Sequence, residues 1–180
     1  MDAEDHELVI RFQLGDETAF NELVGRHRRT VYFLALGLVG SREDAEDLAQ
    51  DCFVRVYEGL SKFRGQSSFG TWVYRIALNL CLNELRKRRI RQVFSLESLG
   101  SVLPSRDRGP DEMVESDERQ RELMAAIQRL PPKQKRVFIL RYFGELSHRG
   151  IAEITGREVG TVKANYFQAI QKLRTALSRL

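Results

Sequence analysis

Arg75, Asn79, Asn83 and Arg86 recur at the spacing of one helix face, with Trp72 at its edge. Amide and guanidinium groups in such a row can hydrogen-bond base edges and phosphates. They lie in a segment that is otherwise apolar, with Phe69, Val73, Ile76, Ala77 and Leu80 on one side and Tyr74, Leu78, Cys81, Leu82 and Leu85 over much of the rest. A helix of that composition is largely buried, so its narrow polar stripe stands out. Two readings remain side by side: the stripe contacts nucleic acid, or Asn79 and Asn83 satisfy neighbouring backbone groups.

A second set lies at the C-terminal end. Thr161, Lys163, Ala164, Asn165, Phe167, Gln168 and Gln171 occupy the polar faces of a segment whose Val159, Val162, Tyr166, Ile170, Leu173 and Leu177 form an apolar stripe. Such a helix can lie in a major groove. It follows a shorter helix that Ser147 can cap by accepting from the free amides of His148 to Gly150, and Gly156 suits the left-handed residue that closes that helix. This is the layout of a helix-turn-helix; the alternative is a helical hairpin with a solvated, mildly basic face.

A third set is acidic. Asp44, Asp47 and Asp51 share one face at i, i+3 and i+7, with Gln50 and Val54 beside them. Carboxylates near a helix N-terminus favour the helix dipole, which accounts for Glu43, Asp44 and Glu46, but Asp51 lies beyond the first turn. An acidic ridge repels DNA and suits a basic protein surface. Between the acidic and the Asn-bearing helices, Phe63-Arg64-Gly65-Gln66-Ser67 combines an aromatic, a cation and small residues. That composition can pocket an unstacked base, or simply join two helices.

The elements that must position these groups are helical throughout; no run alternates as a strand does. The pattern predicts helices over 5–14, 17–39, 42–62 and 68–89, with Asp16, Ser41 and Ser67 or Ser68 as caps. From Gln92 to Pro110 it fails, and Ser, Gly and Pro residues mark a linker whose Val93, Phe94, Leu96 and Leu99 suit docking on a surface. Helices resume from Asp111 to before Pro131 and again to the end. The expected fold is therefore all-α: two small helical domains, 5–91 and 113–180, joined by a flexible linker, 92–112.

The chain has 180 residues and 42% hydrophobic content, enough for packed cores. Its 29 Lys and Arg against 25 Asp and Glu leave a net charge of only +4, so overall charge says little about nucleic acid. The distribution says more: Arg86, Lys87, Arg88, Arg89 and Arg91 form a basic block. No signal peptide or membrane span is apparent. Cys52 and Cys81 sit in apolar helical patterns, as core residues of a reducing cytoplasm. No acid, base, nucleophile or metal cluster stands out; His6, His27 and His148 are scattered, and neither catalytic residue, metal, cofactor nor small-molecule substrate is expected.

Taken together the chain resembles the extracytoplasmic-function sigma factors, group IV of the sigma-70 family of bacterial RNA polymerase. The resemblance is carried by Asp44-Ala45-Glu46-Asp47-Leu48-Ala49-Gln50-Asp51-Cys52-Phe53, Phe63-Arg64-Gly65, Phe69-Gly70-Thr71-Trp72-Val73-Tyr74-Arg75-Ile76-Ala77-Leu78-Asn79, Leu130-Pro131, Leu146-Ser147-His148-Arg149-Gly150-Ile151-Ala152 and Val159-Gly160-Thr161-Val162-Lys163. It implies a non-enzymatic promoter-specificity subunit that binds core RNA polymerase and promoter DNA. In that frame Asp44, Asp47, Gln50, Asp51 and Val54 face the polymerase. Phe63, Arg64, Trp72, Arg75, Asn79, Asn83, Arg86, Lys87 and Arg88 serve the −10 element, with the Phe63 loop holding a flipped base. Arg149, Thr161, Lys163, Ala164, Phe167 and Gln168 serve the −35 element. The linker would thread toward the RNA exit path. The family also implies a stress-response role and an anti-sigma factor, which could hold the chain at the membrane. Gly150 stands where relatives often carry Glu, and the helix Lys163-Ala164-Asn165-Tyr166-Phe167-Gln168-Ala169 has fewer arginines than many relatives. The rival reading is a dimeric regulator of duplex DNA, which would need neither the acidic ridge nor the Asn-bearing helix; a helical adaptor without a DNA role is the third.

Overall fold

The computed structural model describes residues 3–98 and 116–178. Four helices precede the gap: α1 (Ala3–Gln13), α2 (Thr18–Val39), α3 (Arg42–Leu60) and α4 (Phe69–Ser98). Four follow it: α5 (Ser116–Gln128), α6 (Pro132–Tyr142), α7 (His148–Thr155) and α8 (Val159–Leu177). No strand occurs among the described residues.

The boundaries follow local chemistry. Asp16 accepts from the Thr18 amide at 3.0 Å, at the entrance to α2. Ser41 accepts from the Asp44 amide at 3.3 Å and Ser68 from the Thr71 amide at 3.1 Å, each satisfying a free donor of a helix start. Ser147 does the same for Gly150 at 3.1 Å, and α7 closes on Gly156 with φ of 62°. Pro132 opens α6, where its missing N–H costs nothing.

One boundary differs from the sequence reading. The basic block does not end α4; the helix continues through Ser98, so the first residues assigned to the linker, 92–98, are helical. Glu84 explains part of this extension. It accepts from Arg88 at 3.2 Å and from Arg91 at 2.8 Å, one and two turns further on. Serine, the residue at 95 and 98 that was taken as a loop former, costs a helix only tenths of a kcal/mol, roughly. The remaining linker positions, 99–112, lie outside the described residues.

The first four helices bury Leu23, Val31, Leu34, Val56, Leu60, Phe69 and Val73. The predicted stripe of α3 is the buried one: Ala45, Leu48, Cys52 and Val56 are inside, with Ala49 and Phe53 half-buried. In α8 the stripe is shorter than predicted. Val162, Ala169 and Leu173 are buried, whereas Val159 and Leu177, at the two ends, face solvent. Burial pushes both thiols, Cys52 and Cys81, up to about 12, so they remain protonated packing groups.

Two polar features tie the helices together. His27 bridges Asp5 at 2.8 Å and the Tyr74 hydroxyl at 3.0 Å, joining α1, α2 and α4. Burial raises the Tyr74 phenol to about 12, keeping it neutral. Gln13 donates to the carbonyls of Leu60 at 3.1 Å and Phe63 at 2.9 Å, which anchors the loop between α3 and α4.

The two groups of helices also pack on each other, where the sequence suggested only a tether. Gln128 of α5 donates to the carbonyls of Leu36 at 3.1 Å and Gly37 at 2.8 Å, near the end of α2. Lys135 holds that amide in place by donating to Gln128 at 2.9 Å. Gly37 is what allows α6 so close: a Cβ there would stand 2.8 Å from Ile139. Phe33 stacks on Phe143 with centroids 5.5 Å apart. Beside that stack lies a cleft of about 470 Å³ whose walls include Arg29, Gln120 and Tyr142.

Candidate nucleic-acid interface

The site is built on α3, α4 and the loop between them. Ser61 ends α3, and Gly65, with φ of 67°, turns the chain toward Ser68 and α4. The turn and the Gln13 anchor place Phe63 against Trp72 at 4.8 Å between centroids, and edge-on to Phe69 at 6.2 Å. Gly59 permits this, since a Cβ there would lie 3.0 Å from the Trp72 ring. The result is a hollow of about 560 Å³ lined by Lys62, Phe63, Arg64, Ser67, Trp72 and Arg75, among others. Its aromatic floor offers a stacking surface, and its cations suit a phosphate. The Arg75 Nε is buried without a hydrogen-bond partner, so the rim holds an unsatisfied donor.

Asn79 and Asn83 continue from that hollow along α4, and both are exposed. Neither amide caps or satisfies a neighbouring backbone group among the described residues; Asn83 instead accepts from Arg86 at 3.4 Å. Arg86 and Lys87 are exposed one turn further on. Arg88 is not free in the same way: it turns back to pair with Asp44 of α3 and with Glu84.

That pairing changes the place of Asp44. Asp47, Gln50, Asp51 and Val54 stand exposed on the outer face of α3. Val54 is 58% exposed and Tyr57, one turn on, 45%, an unusual apolar lining for an acidic ridge. Asp44 lies at the ridge's inner end, clasped between helices. Hydrogen bonding with Ser41, and then with Arg88, holds its carboxyl below the ordinary value. With a depressed folded-state pKa, the clasp contributes fully above the ordinary carboxylate pKa and is lost as pH falls through the depressed one. Two residues assigned to different partners, Asp44 and Arg88, thus hold each other.

In the second group of helices, α7 and α8 cross around Gly156 with Ile151, Ala152 and Val162 buried between them. Thr161, Lys163, Ala164 and Phe167 project outward, Phe167 with 64% exposure. The Arg149 side chain is exposed and sits 3.8 Å from Glu153. Gln168 is exposed but not idle: it accepts at 2.7 Å from Gln134, a buried side chain of α6. Sequence reasoning missed Gln134, the Asp5–His27–Tyr74 bridge and the approach of Glu153 to the loop hollow. Each depends on residues 22 or more positions apart meeting in space, and no local pattern announces that.

The fold and these surfaces define a helical protein with an aromatic-floored, cation-rimmed hollow in one half and a helix-turn-helix in the other. The model of sigma-70 region 2 matches residues 23–90, and that of sigma-70 region 4 matches residues 120–173. The chain is 34% identical to RNA polymerase sigma-H factor of Pseudomonas aeruginosa, over 98% of this chain and 95% of that one. It is 33% identical to the ECF RNA polymerase sigma factor SigW of Bacillus subtilis, over 96% of each. Among solved structures, CnrH in complex with the cytosolic domain of CnrY shares the fold, with a TM-score of 0.73 at 22% identity, over 98% of this chain and 99% of that one. The protein belongs to the extracytoplasmic-function sigma factors of RNA polymerase. It is a sigma factor that directs promoter-specific initiation with the core enzyme, in a family of transcription factors rather than catalysts. No described helix is long and apolar enough to cross a membrane.

Proposed function

We propose that the two halves divide promoter recognition at the level of individual side chains. Residues 5–91 bind the polymerase through Asp47, Gln50, Asp51 and Val54 and capture the −10 element in the loop hollow. Residues 113–180 read the −35 element through the outward face of α8. The observation that carries this reading is the continuous surface from Phe63 and Trp72 through Arg75 to Asn79 and Asn83, a stacking floor followed by exposed amides on a rigid helix. Base capture there stabilises an open strand by binding energy, with no covalent step. Arg86 and Lys87 hold phosphates; Asp44 and Arg88 act indirectly, by bracing α3 on α4. The chain works in the cytoplasm with the polymerase, and an anti-sigma factor is its expected regulator.

Asn79→Ala tests the assignment. It is expected to impair promoter opening more than formation of the closed complex, since an exposed amide contributes little to folding. Permanganate footprinting of holoenzyme on duplex and pre-melted templates is the measurement. Reduced thymine reactivity on the duplex, with near-normal retention of the closed complex, supports base reading. A fall in melting temperature with no opening defect would make Asn79 structural.

The α8 assignment carries its own expectation. Lys163→Ala should weaken all −35 sequences evenly and lower the salt slope by about 1, as loss of one phosphate contact does. Phe167→Ala should instead relax preference at one position, by roughly 1–3 kcal/mol, if its ring packs on a thymine methyl. Gln168→Ala should do the same at a neighbouring position, while also leaving Gln134 without its partner. Holoenzyme binding to a −35 library at two salt concentrations separates these outcomes. Unchanged affinity and preference in all three variants would remove α8 from the groove.

A further inference from the structure

Gln134 of α6 is buried, and it donates at 2.7 Å to the Oε1 of Gln168 on α8. Its own Oε1 is buried too and, among the described residues, has no hydrogen-bond partner. An unsatisfied buried oxygen costs stability, so packing alone would favour an apolar side chain at this position. The pair is held at a set distance by the packing around it. Phe138, one turn along α6, stacks on Tyr166 of α8 with centroids 6.3 Å apart, and Val162 and Ala169 of α8 are buried. Burial also fixes the direction of the bond. If Gln168 donated to Gln134 instead, both N–H groups of Gln134 would be buried without an acceptor, and orphaned N–H donors are rarer than an under-satisfied carbonyl. Gln168 itself is exposed. The bond therefore turns its Oε1 back toward α6 and leaves its Nε2 for the groove.

We propose that Gln134 is a positioning residue for promoter choice: by holding the Gln168 oxygen, it makes Gln168 a pure donor toward the major groove and so selects the base that Gln168 faces. This rests on the proposed reading of the −35 element by α8. A glutamine amide that turns freely reads adenine with both ends, accepting from N6 and donating to N7. With its oxygen turned inward, Gln168 loses that pairing. Guanine presents two acceptors, O6 and N7, and becomes the preferred base; cytosine presents the N4 donor and becomes the least favoured. Gln134 touches no DNA in this scheme and acts only through the orientation of Gln168.

The test is base preference, read by sequencing the promoters that holoenzyme retains from a library randomised across the −35 element. Gln134→Met keeps the length of the side chain and removes the hydrogen bond. It should free the Gln168 amide and lower the guanine-to-adenine ratio at one position by about fivefold or more, the scale of one bidentate base contact. Preference at the other positions, and helix content by circular dichroism, should stay as in the parent protein. Gln134→Leu should give the same shift, and serves if Gln134→Met does not fold. In a Gln168→Ala background, Gln134→Met should change nothing further, because the residue it acts through is gone. An unchanged ratio in a folded Gln134→Met variant, while Gln168→Ala alone relaxes the position, overturns the inference and leaves α8 in the groove. An even loss of affinity across all −35 sequences overturns it as well, and makes Gln134 a packing residue. If Gln168→Ala, Lys163→Ala and Phe167→Ala all leave preference and affinity untouched, the proposed function of α8 fails first and the inference fails with it.

Discussion

Asp51→Arg is expected to lower affinity for core polymerase by about 2–5 kcal/mol, the scale for reversing a charge inside a desolvated contact. Asp51 is exposed at the centre of the α3 ridge, flanked by Asp47, Gln50 and the bare Val54 side chain, so the change should leave thermal unfolding nearly untouched. Asp44→Asn provides the contrast. Asp44 is engaged with Arg88 and Ser41, so its loss should lower the melting temperature and affect polymerase binding only secondarily. Titration of labelled core enzyme, alongside calorimetric unfolding of each variant, distinguishes the two. Full affinity in a folded Asp51→Arg variant would remove α3 from the polymerase contact.

Phe69→Ala should cost about 3–5 kcal/mol of stability, the range for truncating a fully buried aromatic. Phe69 is 2% exposed and its ring meets His27 at 5.2 Å, Trp72 at 6.0 Å and Phe63 at 6.2 Å. The cavity would lie directly beneath the base hollow. Loss of the floor should therefore perturb Trp72 emission below the melting transition as well as lower that transition. Chemical denaturation followed by Trp72 fluorescence and by circular dichroism measures both. A cost well under 1 kcal/mol, roughly, would mean that Phe69 is not the support the packing makes it.

Much of this was legible from local pattern. Ser41, Ser147 and Gly156 mark helix ends by chemistry confined to one turn, and the stripe Ala45–Leu48–Cys52–Val56 announces its buried face through spacing alone. The polar stripe of α4 could be located from sequence, but not its exposure, because an Asn beside an apolar face serves equally as a buried hydrogen-bonding group. The end of α4 was misplaced because serines weaken a helix without forbidding it, and Glu84 stabilises the turns beyond the basic block. Asp44 and Arg88 lie 44 residues apart; each appeared as a free charge until α3 and α4 were placed side by side. The packing of the two halves was invisible for a similar reason. Phe33, Ile139 and Phe143 belong to ordinary amphipathic patterns, and only the backbone notch at Gly37 shows which apolar face meets which.

The chain confers promoter choice on the polymerase, and in the proposed mechanism it does so through two separated surfaces. Run-off transcription by core polymerase on a randomised promoter library, with and without the protein, followed by sequencing of the transcribed templates, tests it most directly. Two enriched motifs near −10 and −35 that appear only with the protein are the expected result. Asn79→Ala should erode the −10 motif, and Phe167→Ala one position of the −35 motif. Templates enriched equally by core enzyme alone, or a single motif indifferent to both substitutions, would contradict it.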